Sequence, residues 1–143
     1  MRLFGVLLFL IAFVGCQSTK QDLKFRVASV SDGFTQIDGK THKWHQHEWK
    51  SSDGTLIDDN LISFNSYKEA KKYFDRLNGQ VTNGPITYDG RKLTIETDPK
   101  SNSKTYKITL WNNRKMIRIK GPSLHYVLAF EKCCSVSEFN SFR

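Results

Sequence analysis

Residues 104–120 read KTYKITLWNNRKMIRIK, and their reading decides the fold. Apolar and polar side chains alternate over 104–111, two asparagines interrupt, and alternation resumes over 114–120. A period of two belongs to a strand with one buried face. Asparagine tolerates positive φ, so Asn112-Asn113 predicts a two-residue hairpin turn. That centre sets a register with Trp111 opposite Arg114, Thr109 opposite Met116, Lys107 opposite Arg118 and Thr105 opposite Lys120. Tyr106, Ile108, Leu110, Ile117 and Ile119 then share the core face. The other face becomes an outward basic strip of Lys107, Arg118 and Lys120, with Trp111 and Arg114 beyond it.

Working outward, residues 93–97 read as the preceding strand, entered through Asp89-Gly90 and left through a polar loop at 98–103. Gly121-Pro122 breaks the chain after the hairpin, and residues 124–130 are apolar enough for a further, central strand. Upstream, residues 66–79 carry a helix pattern. Ser66 and Glu69 have capping-box spacing, and Ala70, Tyr73, Phe74 and Leu77 fall on one face. Asn78-Gly79 suits a left-handed stop. Before the helix, residues 23–27, 43–50 and 61–64 read as strands, the second a poor one. Asp32-Gly33, Asp38-Gly39 and Asp53-Gly54 supply turns. The order β-β-β-α-β-β-β-β predicts the α+β class. One amphipathic helix packs on a curved, mainly antiparallel sheet with a C-terminal meander, in a single domain over 23–143.

The chain has 143 residues, a formal charge of +8, 13% aromatic and 25% charged residues. This balance suits a packed core and argues against disorder throughout. Most of the excess charge lies between Arg91 and Lys120, where only Glu96 and Asp98 oppose the basic residues. Its plainer account is a solvated sheet face whose lysines discourage aggregation. The functional account is salt-sensitive attraction for an anionic lipid, lipopolysaccharide phosphate or an acidic envelope protein.

At the N-terminus stand Met1-Arg2, an apolar run over 3–14, and Gly15-Cys16. The run is shorter than the roughly 20 residues that span a bilayer. A cationic start, a short apolar core and a small residue before the cut mark an export signal. With cysteine after the cut, residues 1–17 resemble the signal peptide of bacterial lipoproteins. The resemblance implies removal of residues 1–15 and a lipid on Cys16, with residues 16–22 as a tether. Gln17 stands where the inner-membrane retention signal would be aspartate. By that resemblance the domain is lipid-anchored to the outer membrane of a Gram-negative host, faces the periplasm, and has no nucleic-acid partner.

Three histidines, His42, His45 and His47, lie close together between Trp44 and Trp49. On a strand His45 and His47 share a side, whereas His42 has the opposite parity, so convergence on a metal needs a bend. Cys133 and Cys134 are adjacent. Their Cα atoms, about 3.8 Å apart, fall below the usual disulfide range of about 4.4 Å or more. Two free thiols or a disulfide-linked homodimer is therefore the simpler expectation, and a strained vicinal bridge the alternative. Asp58 and Asp59 are neighbours that face opposite ways on a strand. Neither a nucleophile elbow nor a glycine-rich phosphate loop occurs, and no cofactor is implied. The sequence thus points to a non-enzymatic binding or interaction module. A small envelope hydrolase or metal-dependent enzyme using His42, His45 and His47 is the second reading, and a purely structural envelope protein the third.

Overall fold

The computed structural model describes residues 23–141. Its strands are β1 (Phe25–Ile37), β2 (Lys40–Ser51), β3 (Leu56–Ser63), β4 (Gln80–Val81), β5 (Gly90–Thr97), β6 (Lys104–Asn112) and β7 (Lys115–Gly121). Two helices, α1 (Tyr67–Arg76) and α2 (Leu124–Ser141), complete the order. All seven strands form one antiparallel sheet, ordered β1-β2-β3-β7-β6-β5-β4. This is the α+β class that the alternation predicts.

The β6–β7 hairpin turns one residue later than expected. Asn112 pairs with Lys115, so Asn113-Arg114 forms the loop and Asn113 takes the positive φ of 56°. Asp89 fixes this choice by accepting from the Asn113 amide at 2.6 Å, while the Trp111 indole donates to the Asn113 carbonyl at 2.8 Å. Pairs consequently move by two: Trp111 faces Met116, Thr109 faces Arg118 and Lys107 faces Lys120. A shift of two preserves parity, so each side chain keeps its predicted face.

Asp38-Gly39 is the two-residue turn between β1 and β2, with both φ positive at 52° and 76°, as a primed turn requires. Asp32-Gly33, expected as a turn, instead runs through β1 opposite His45 and Trp44. Glycine is there for clearance: a Cβ on Gly33 would lie 2.3 Å from Trp44 Cζ2. The indole of Trp44 covers the strand at that point.

Each sheet face carries one helix. On one face, Ile57, Leu61, Ile108, Leu110, Ile117 and Ile119 bury against Val127, Phe130 and Phe139 of α2. On the other, Trp111 and Met116 bury against Phe64, Ala70 and Phe74 of α1. Helix α1 starts as its sequence predicts, with the Glu69 amide donating to Ser66 Oγ at 3.2 Å. It ends at Arg76, before Asn78-Gly79. Lys92 sets that end, donating from its ammonium to the carbonyls of Phe74 at 2.6 Å and Leu77 at 2.9 Å.

The expected strand over 124–130 is a correction: these residues open the 18-residue helix α2. Val127, Phe130, Glu131, Ser135, Glu138 and Phe139 are its buried positions, at helical spacing. Half of them are polar, so the stripe lacks an apolar signature. Each polar member has a partner across the sheet. Arg91 donates twice to the Glu131 carboxylate, at 2.7 Å each, and Tyr88 shares a 2.5 Å hydrogen bond with Ser135.

Candidate functional site: a polar cleft and a buried histidine–carboxylate cluster

On the α1 side of the sheet, the α1 end and the β1–β2 turn rise around β3 and β7 and leave a cleft of about 740 Å³. Trp44 and Tyr73 present aromatic surfaces to it, and Gln46 and Asn60 present amides. Its charged lining includes Arg118 and Lys120 from β7, Asp58 from β3, and the ion-paired Arg76 and Asp38. Arg118 reaches the Tyr73 hydroxyl at 3.4 Å. Among the described residues, neither Arg118 nor Lys120 forms an ion pair. Burial, then the charges of Lys107 and Arg118, holds the Lys120 ammonium below the usual lysine value.

The predicted strip is thereby redrawn. Arg118 and Lys120 are brought together in the cleft. Lys107 lies directly opposite Lys120, but its ammonium is taken by Glu96 at 2.7 Å. Trp111 is a correction: only 3% exposed, it packs between Tyr67 and Phe74 and belongs to the core under α1. Arg114 is exposed in the β6–β7 turn and does not line the cleft. Alternation gave the correct face for Trp111; what it could not show was that α1 covers that end.

The opposite face holds a cluster that meets the cleft only at Asp59. His45 and His47 meet, with their Nε2 atoms 3.0 Å apart, and Asp32 binds His45 Nδ1. His47 Nδ1 points inward, 3.3 Å from Asp59 Oδ1 and 3.2 Å from Glu138 Oε2. Asp59 is fully buried, and its register partner across β2–β3 is His47. Burial lifts the Asp59 carboxyl above its usual value, although Glu138, Trp49 and His47 oppose the rise. Burial likewise pushes Glu138 up to about 8, and the adjacent Asp59 carboxyl adds to it. His42 does not join this group. It lies on the other face, buried against Phe64, with Nδ1 3.3 Å from the Ser63 carbonyl.

Asp32, Asp59 and Glu138 were the members that sequence reasoning missed. Opposite parity of Asp58 and Asp59 is borne out, and it sends one to each face, Asp58 to the cleft and Asp59 to the cluster. Glu138 was hidden by the reading of α2 as a strand.

Cys133 and Cys134 form a vicinal disulfide on α2, where two free thiols or an intermolecular bridge was the simpler expectation. Cys16, its signal and the tether over 16–22 lie outside the described residues. No helix among the described residues is long and apolar enough to cross a membrane. No family model, curated protein or solved structure matches the chain.

Proposed function

We propose that this protein is a non-enzymatic binding module that holds a phosphate-bearing envelope lipid, such as lipopolysaccharide, in the α1-side cleft. In this reading a lipid on Cys16 anchors the domain to the periplasmic face of the outer membrane. The observation that carries the proposal is the pairing of Arg118 and Lys120, two cations without ion-pair partners among the described residues, inside a concave site. A guanidinium can grip two phosphate oxygens at once, and a nearby ammonium adds a point charge. Trp44 and Tyr73 suit the apolar faces of a sugar ring, and Gln46 and Asn60 suit its hydroxyls. These are recognition groups, which favours binding over turnover.

The test is binding of the protein to lipopolysaccharide and to its dephosphorylated form, at low and high salt. Arg118→Glu should weaken binding about tenfold or more, since one hydrogen bond to a charged group contributes about 1.5–3 kcal/mol. Arg114→Glu makes the same charge change outside the cleft and should alter affinity little. Equal losses in both variants, or equal affinity for the dephosphorylated form, would refute a phosphate site in the cleft.

A further inference from the structure

On the face of the sheet opposite the cleft, we infer that His47, Asp59 and Glu138 form a divalent transition-metal site, with zinc as the fitting ion. The inference does not rest on the phosphate reading of the cleft, which the cluster meets only at Asp59. Its first support is spacing. A tetrahedral zinc with bonds of about 2.0–2.1 Å separates neighbouring donors by about 3.3 Å. His47 Nδ1 lies 3.3 Å from Asp59 Oδ1 and 3.2 Å from Glu138 Oε2, and the three donor atoms all fall within 4.8 Å of one another.

The second support is the state of those donors. Asp32 lies against His45 Nδ1, and His45 Nε2 lies 3.0 Å from His47 Nε2, so a single proton joins the two rings. When His47 supplies that proton from Nε2, its Nδ1 is left as the lone pair that a metal takes. That lone pair and two carboxyl groups converge, and three acceptors in one buried place demand a cation or a proton. Asp59 has no exposed surface, and among the described residues neither its Oδ2 nor His47 Nδ1 has a hydrogen bond of ordinary geometry. Imidazole with two carboxylates matches zinc better than calcium or magnesium, which take oxygen alone.

The third support is the outer hydrogen-bond chain. A metal-bound histidine typically donates its other ring N–H to a fixed acceptor, which orients the ring. His45 fills that role here, backed by Asp32. The ligands come from β2, β3 and α2, so the ion ties the C-terminal half of α2 to the sheet. Three protein ligands leave a fourth position for water or for the second oxygen of a carboxylate.

The experiment loads the purified full chain with zinc, removes excess metal by gel filtration, and measures bound zinc and thermal stability. Cobalt(II) serves as a spectroscopic probe of tetrahedral geometry. One zinc per chain is expected, with a rise in melting temperature and the visible bands of tetrahedral cobalt. Glu138→Gln should lose the metal, as should Asp59→Asn. His45→Ala should weaken binding by about 10–100-fold, as loss of a ligating histidine's partner does. His125→Ala, at an exposed histidine on the first turn of α2, should bind as the parent does. Glu138→Gln lies near the end of α2 and preserves its side-chain shape, so it decides the matter if Asp59→Asn does not fold. Substoichiometric zinc in the parent, or full zinc in folded Glu138→Gln, overturns the site.

Discussion

Lys107 and Lys120 face each other directly across β6 and β7. Like charges so placed cost a few tenths to about 1 kcal/mol. Glu96 relieves the cost on the Lys107 side, and its own carboxyl is held below the usual range by that contact. Lys120 is relieved only in part, by Glu96 and by Asp58 opposite it on β3. Its ammonium is depressed by burial and by Lys107 and Arg118, so it gives up its proton at a lower pH than a free lysine, whose pKa is about 10.4. Affinity for a phosphate ligand should therefore fall as pH rises through that lowered value. Lys120→Arg keeps its charge and should flatten the profile. Titrations of both proteins between neutral and alkaline pH check this, and an equally flat parent profile would remove Lys120 from the site. At the same scale, Gly33 serves the cleft from below, because only a residue without Cβ lets the Trp44 indole lie across β1.

At the scale of the element, α2 is held by charge as much as by apolar packing. Glu131 is fully buried beneath the Arg91 guanidinium, which also donates to Thr82 and to the Asn83 carbonyl. A buried pair adds little over a well-packed apolar pair, but breaking it leaves an uncompensated charge. Glu131→Ala should cost about 3–5 kcal/mol, whereas joint replacement of Arg91 and Glu131 by apolar residues should recover much of that loss. Chemical denaturation of the parent, Glu131→Ala and the double variant gives both figures, and a double variant no more stable than Glu131→Ala would contradict the pairing. The same chemistry explains what the sequence made legible. Strands β5 to β7 alternate cleanly because one face is apolar, and α1 announces itself through Ser66 and an apolar stripe. Helix α2 does not. Its buried stripe runs through Glu131, Ser135 and Glu138, whose partners Arg91, Tyr88 and Asp59 are 40 or more residues away in sequence. Periodicity sees hydrophobicity, not distant pairing, so only the apolar stretch of 124–130 stood out. The cluster was lost with the helix. Its His45–His47 half was visible as same-side parity, and its Asp59 half needed the β2–β3 register.

For the whole molecule, the sheet separates two chemistries. Arg118 and Lys120 serve the α1 face, and His47, Asp59 and Glu138 serve the α2 face. The strands alternate between them, so adjacent residues such as Asp58 and Asp59 act on opposite sides. The three tryptophans report on this division: Trp44 lines the cleft, Trp49 packs against Phe130 beside His47, and Trp111 is buried under α1. Each indole N–H gives its own nuclear magnetic resonance signal. The most direct measurement is therefore a titration of the protein with a soluble phosphorylated sugar headgroup, following those three signals. Binding in the cleft predicts a saturable shift of the Trp44 signal, with Trp49 and Trp111 nearly unmoved and the shift abolished in Arg118→Glu. A stationary Trp44 signal, or a shift that survives Arg118→Glu, would contradict the account.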